Sequence, residues 1–115
     1  MPTRTREEYK APKHLRAPTR RWVQGIAEDY LLESHHLKLL QAAAESWDRA
    51  QQARAALAVY GLTYLDRFGA PHGRPEVAIE RDARVAFARL IRELGLDVSE
   101  PEPERPPVVR GQRRR

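Results

Sequence analysis

Few side chains in this sequence have the spacing that metal chemistry requires. His35 and His36 are adjacent, so on a helix they point about 100° apart and lack the i, i+4 spacing of a zinc-binding pair. No cluster of further ligands accompanies them, and the chain contains no cysteine. We therefore predict no metal site and no cofactor.

Two pairs of carboxylates are candidates for acid–base chemistry, Glu45 with Asp48 and Glu80 with Asp82. Arginines lie beside both pairs, and on a helix this arrangement is typical of a solvated, charged face; they are Arg49, Arg81 and Arg84. The sequence has no Walker loop, no nucleophile elbow and no glycine-rich phosphate turn. We predict that the protein is not an enzyme.

Positive charge is the stronger functional signal, and it is concentrated near the N-terminus. The net charge is +5, and residues 1–21 carry seven Lys or Arg against two Glu, whereas residues 22–96 carry nine basic and ten acidic side chains. A basic terminal segment binds phosphates by releasing counterions, although it also serves solubility, and both interpretations stay open. The candidate nucleic-acid contacts are Arg4, Arg6, Lys10, Lys13, Arg16, Arg20 and Arg21.

The last 19 residues are acidic and proline-rich before they become basic. Such tails serve either as interaction segments or as solubilising ends. The basic residues that would make the contact are Arg110, Arg113, Arg114 and Arg115.

Helical periodicity organises the region between these ends. Thr19 is a predicted N-cap for a helix that reaches Tyr30, and Ser34 caps a second helix that reaches Tyr60. A third helix begins at Pro75 and stops at Gly95; Gly61 and Gly95 both read as left-handed Schellman stops.

The segment between the second and third helices contains good strand residues from Leu62 to Leu65, and Gly69 suits a three-residue hairpin turn. The predicted fold is mainly α: a helical hairpin, a small β-hairpin and a third long helix. We expect a basic arm at residues 1–18, a helical domain at 19–96 and a disordered tail at 97–115, with a short turn from Pro12 to Leu15.

Much of the apolar content is alanine, so one copy of the chain has a thin core. The last helix also carries a second apolar strip outside its main stripe. Self-association is therefore expected through Ala78, Val85 and Ala88 on that helix, together with Trp47 on the long helix.

An ordered series of strings resembles the small terminase subunit of tailed bacteriophages, in a short branch without an obvious N-terminal helix-turn-helix. The series comprises A-P-K-H-L, L-E-x-H-x-L and A-x-E-S-W-D-R-A, followed by D-R-F-G and V-A-I-E-R-D-A-R-V-A-F-A-R-L-I-R-E-L-G-L. It covers residues 11–96. One departure is Arg74 before Pro75, where the family pattern has histidine.

The resemblance implies a ring of several copies that binds double-stranded viral DNA in the infected bacterial cytoplasm and recruits the large terminase subunit, an ATPase and nuclease. The C-terminal arginines would then face an acidic patch of the large subunit. No apolar run is long enough to span a membrane. Two alternatives stay open: a small DNA-binding regulator whose helix-turn-helix is formed by the first two helices, and an interaction module that binds no nucleic acid.

Overall fold

The computed structural model describes residues 9–103. Its elements are α1 (Ala17–Asp29), α2 (Ser34–Tyr60), β1 (Thr63–Leu65), β2 (Pro71–Gly73) and α3 (Pro75–Leu94). The mainly α architecture with one antiparallel β-hairpin is confirmed. With 27 residues, α2 is about 40 Å long, and both α1 and α3 pack against it.

The start of α1 differs from the prediction. The helix begins three residues earlier, with Arg16 as N-cap and Pro18 in the first turn, where a missing N–H is no loss. Thr19 is not a cap, because its side chain is fully buried and its hydroxyl donates to Asp48 Oδ1 at 2.5 Å. The Thr19 hydroxyl therefore binds Asp48 on α2 instead of capping α1.

The bounds of α2 match the prediction, but its N-cap is Glu33 rather than Ser34. The Glu33 side chain accepts from the backbone of His36, and His36 Nδ1 accepts from the Glu33 N–H at 3.3 Å, which forms a reciprocal capping box. The helix uses a carboxylate and an imidazole where we expected a hydroxyl.

The two glycine stops differ from each other. Gly95 has φ 68° and ψ 18°, the predicted left-handed conformation, and Ile91 and Leu96 both pack against the same core. Gly61 has φ 83° but an extended ψ of −177°, so the left-handed stop predicted there is wrong. The extended ψ sends the chain directly into β1 and leaves Leu62 largely exposed.

The β-hairpin pairs Tyr64 with His72 across its centre. Its turn has the predicted three residues: Asp66 N–H donates to Ala70 O at 3.0 Å around Arg67, Phe68 and Gly69. Gly69 has φ 81°, the conformation that glycine adopts without steric cost.

The core lies where α1, the first half of α2 and the second half of α3 meet. Its fully or nearly fully buried side chains are Leu15, Val23, Ile26, Leu40, Ala43, Ala44, Trp47, Phe87 and Leu94. Among residues 9–103, no helix is both long and apolar enough to cross a membrane.

Both ends of the described chain join this core, so the packed region is wider than the expected 19–96. Leu15 is buried in it, and Tyr9 and Ala11 pack against it. On the other side, Trp22 Nε1 donates to Ser99 O at 2.5 Å and Tyr30 Oη donates to Asp97 O at 3.0 Å. Residues 97–103, expected to be disordered, therefore lie along α1.

Candidate nucleic-acid interface

The backbone of residues 9–16 is held beside α1. Gln24 accepts from the Ala11 N–H at 2.8 Å and donates from Nε2 to Tyr9 O at 3.1 Å, so one amide side chain ties down the backbone on both sides of Lys10. The expected turn is present, with Leu15 N–H donating to Pro12 O at 3.4 Å. This ordered backbone replaces the extended arm predicted for these residues.

A buried carboxylate on α2 anchors the junction between this segment and α1. Asp48 accepts from the Arg16 N–H at 2.8 Å and from the Thr19 hydroxyl, and its Oδ1 lies 3.6 Å from the Arg16 guanidinium. Burial of a carboxylate is costly unless donors surround it, and these groups supply them. The positive charge of Arg16 is thereby offset within the subunit.

Arg20 is also partly committed to the fold. Its Nη1 donates to the carbonyls of Lys13 and Leu15, at 3.3 and 3.2 Å, and so braces the turn before α1. Two of the seven predicted nucleic-acid contacts, Arg16 and Arg20, thus have structural roles that sequence alone did not reveal.

The remaining described basic residues of this set, Lys10, Lys13 and Arg21, are exposed. Among residues 9–103, none of the three forms an ion pair. Lys10 and Arg21 border a shallow groove along α1 together with Tyr9, Arg20, Gln24 and Glu28. Three of its lining residues are basic and one, Glu28, is acidic, and we call it the α1 groove. Arg4 and Arg6 lie outside the described residues.

A second attachment holds the same segment to α2. His14 Nε2 lies 2.8 Å from Glu45 Oε2, and Gln41 Nε2 donates to the same oxygen at 3.0 Å. These contacts, that of Gln41 above all, hold the pKa of Glu45 below its ordinary value. Glu45 therefore serves as an ionised anchor.

The other carboxylates are also bound by cations. Glu80 lies 3.2 Å from Arg84 and 4.0 Å from Arg54, and Asp82 lies 3.3 Å from Arg81, as the charged-face interpretation predicted. Asp48 is the exception to that interpretation, because it is buried. Residues 9–103 contain no group of three or more His, Asp or Glu side chains placed to hold a metal ion.

The predicted self-association residues divide between surface and core. Val85 and Ala88 are exposed on α3, and Ala78 is half-buried. Trp47 is only 5% exposed, and its ring centroid lies 4.9 Å from that of Phe87. Trp47 therefore fills the space between α2 and α3 within one subunit, which removes it from the surface that α3 presents. Arg110 and Arg113 to Arg115 lie outside the described residues.

The β-hairpin and the ends of the helices beside it carry an exposed apolar surface that was not predicted from the sequence. Phe68 is 81% exposed and Leu65 67%, and further exposed apolar side chains nearby are Val59, Tyr60, Leu62 and Val77. The available signal was a run of strand residues with no polar alternation, since a half-buried strand alternates and this one does not.

Comparison with known protein families supports the resemblance seen in the sequence. A model of the phage terminase small subunit matches residues 20–101, which is most of the chain and includes most of α1 and all of α2, the hairpin and α3. Searches of curated proteins and of solved structures returned no match. The chain therefore belongs to the phage terminase small-subunit family.

Proposed function

We propose that this chain is a DNA-recruiting subunit without catalytic activity of its own: it binds double-stranded viral DNA and brings it to the large terminase subunit. Family membership supports a role in phage DNA packaging, and thus a place of action in the infected bacterial cytoplasm. The α1 groove supports the DNA-binding part of the proposal.

The observation that carries this assignment is the exposure of Lys10, Lys13 and Arg21 on an ordered surface. Basic residues on an ordered backbone lose little backbone freedom when they contact phosphates. In the sequence, Arg4 and Arg6 precede them and add two further positive charges. Each phosphate contact adds about 0.9 to the slope of log affinity against log salt.

The test neutralises these charges and leaves the fold intact. Deleting residues 1–18 would also remove Leu15 from the core, so substitution is the cleaner change. The triple variant Lys10→Ala, Lys13→Ala, Arg21→Ala should bind duplex DNA at least tenfold more weakly in about 0.1 M salt, with a salt slope smaller by up to about three. Affinity is measured by fluorescence anisotropy over a salt series.

A matched control removes arginines that already have acidic partners. Arg81→Ala with Arg84→Ala deletes two positive charges from α3, where each guanidinium pairs with Asp82 or Glu80. This control should bind DNA nearly as tightly as the unmodified chain. Weakening in proportion to the charges removed, three against two, would mean that net charge alone, rather than the α1 groove, determines binding.

Self-association forms the second part of the proposal. A closed ring would place several copies of the α1 groove around one duplex and would compensate for the nearly neutral body. Val85 is 47% exposed on the outer face of α3, between Arg81 and Arg89 along one side of the helix. Val85→Glu should lower the assembly mass without loss of helicity, as measured by native mass spectrometry and circular dichroism.

Contact with the large subunit is assigned to the basic C-terminal residues Arg110, Arg113, Arg114 and Arg115. In the sequence they follow Asp97 and Ser99, whose carbonyls accept hydrogen bonds from Tyr30 and Trp22 of α1. Removing residues 110–115 should weaken binding to the large subunit and leave duplex affinity nearly unchanged. The reverse outcome would exchange the roles of the two ends.

A further inference from the structure

The turn of the β-hairpin presents an aromatic side chain on a rigid support. The Asp66 carboxylate accepts from the N–H groups of Phe68 and Ala70, at 2.8 and 2.9 Å, and His72 Nε2 lies 2.8 Å from its other oxygen. Phe68 is nonetheless 81% exposed, and the Arg67 guanidinium lies 4.9 Å from its ring centroid. We call Leu65, Arg67 and Phe68 the tip. An apolar group held in place before contact loses little freedom on binding.

A depression elsewhere on the same chain has the complementary character. It lies between α2 and α3, and small side chains make its floor and walls: Ala42, Ser46, Ala83 and Ala86, with Ile79 at one end. Glu45, Asp82 and Arg49 also line it, so its charged residues are two carboxylates and one guanidinium. We call this depression the α2–α3 groove. Its apolar lining suits an aromatic ring, and its excess of one negative charge suits a neighbouring arginine.

The tip and the groove of one chain stay apart. Ser46 lies 14 residues before Tyr60, the last residue of α2, which corresponds to about 21 Å along the helix. The hairpin extends beyond that helix end, and the Asp66 hydrogen bonds hold its turn. A second copy is therefore needed to bring the two surfaces together.

We propose that the tip of one copy inserts Phe68 into the α2–α3 groove of the next copy, with Arg67 facing Asp82 and Glu45. The inference rests on the self-association in the proposed function and identifies the surfaces that meet. Charge complementarity favours a contact between the tip of one copy and the groove of the next over a contact between two tips, because a tip-to-tip contact would bring Arg67 against Arg67. A head-to-tail contact of two different patches propagates around a ring.

The test uses one full-length variant for each half of the contact. Phe68→Ala removes the inserted ring, and Ser46→Trp fills the groove at a half-buried position. Each variant alone should raise the dissociation constant for self-association at least tenfold, because burial of an aromatic side chain is lost. Sedimentation velocity measures the mass, and circular dichroism confirms the fold.

Mixing the two variants gives the decisive result. The Ser46→Trp chain keeps an intact tip and the Phe68→Ala chain keeps an intact groove, so an equimolar mixture should form a one-to-one complex and nothing larger. A mixture that stays monomeric would overturn the proposal, as would a variant that keeps the mass of the unmodified chain. Leu31→Ala, at an 82% exposed site remote from the hairpin, is the control and should leave the mass unchanged.

Charge reversal tests the orientation. Arg67→Glu should weaken association, and adding Asp82→Arg in the same chain should restore it, since the pair is then rebuilt with opposite signs. Lack of restoration would exclude Asp82 as the facing residue and overturn that part of the proposal. If the unmodified chain is itself monomeric, self-association fails together with this inference, whereas duplex binding in the same samples still reports on the α1 groove.

Discussion

The two ends of α2 are covered very differently by the rest of the chain. Around its first half, α1, the end of α3 and residues 9–16 and 97–103 bury Leu40 and Ala44 completely. Around its last turn, Tyr60 and the hairpin residues Leu62, Leu65 and Phe68 are mostly exposed. We call these the packed end and the hairpin end.

The packed end therefore provides folding stability, whereas the hairpin end provides a surface for contact with another molecule. Buried apolar area is the main source of folding free energy, so the packed end must supply most of it. The hairpin end retains several large apolar side chains on the surface, more than scattered exposure on a monomer requires. A two-stranded sheet is marginal by itself, and here its turn is maintained by Asp66 rather than by a core.

The largest expected difference between the two ends comes from truncating a leucine to alanine at each of them. Leu40→Ala should cost about 3 kcal/mol of unfolding free energy, because the fully buried leucine leaves a cavity. Leu65→Ala should change it by less than about 0.5 kcal/mol. Urea denaturation at a concentration where the chain is monomeric measures both. Equal losses would show that the hairpin end belongs to the stabilising core.

A smaller effect is expected from the buried carboxylate. Asp48→Ala leaves the Arg16 N–H and the Thr19 hydroxyl without their acceptor, which should cost about 2 kcal/mol. Asp48→Asn keeps one acceptor oxygen and is the matched control, with a smaller loss. The same urea series measures both variants. No loss in Asp48→Ala would mean that water replaces the carboxylate at no cost and that the junction is open.

The attachment of residues 97–103 to α1 should contribute still less to the free energy of unfolding. Trp22→Phe removes the Nε1–H that donates to Ser99 O but keeps an aromatic ring near Phe87, whose centroid is 6.0 Å away. We expect a loss of about 1 kcal/mol and faster amide exchange confined to residues 97–103. Hydrogen exchange followed by mass spectrometry measures residues 97–103 and the rest of the chain in one experiment. Unchanged exchange there would refute the role of this hydrogen bond.

The smallest effect concerns pH at the hairpin end. The hydrogen bond from His72, with those from the Ala70 and Phe68 amides, holds the pKa of Asp66 below its ordinary value. A carboxyl with a depressed pKa stabilises the turn fully above its ordinary pKa, and this contribution is lost as pH falls through the lowered one. Amide chemical shifts of Phe68 and Ala70 should follow that loss while Leu40 does not respond. If the amide shifts of Leu40 changed over the same pH range as those of Phe68 and Ala70, the two ends of α2 would not be independent.

Local sequence patterns predicted most of the fold. The bounds of α2 and α3, the three-residue turn with Gly69 and the left-handed Gly95 all follow from periodicity, proline and glycine, which act over a few residues. The failures at this level also had local causes: Gly61 leads into a strand, and Glu33 rather than Ser34 supplies the cap of α2.

The candidate site was less accessible to sequence reasoning. The basic residues near the N-terminus were identified as a group. The sequence did not show that Arg16 and Arg20 bind groups of their own subunit while Lys10 and Arg21 stay exposed, because this depends on which residues pack against each side chain. Asp48 is 32 residues from Arg16 along the chain, and their contact exists only because α1 packs against the middle of α2.

The sequence by itself determined the helices, the turn and the total of positive charge, because these depend on neighbouring residues. Tertiary structure alone decided that Asp48 is buried, that Trp47 lies in the core and that Phe68 lies at the surface. The physical reason is that burial depends on which elements cross and where, and the helical period of Trp47 and the strand pattern near Phe68 are compatible with either outcome.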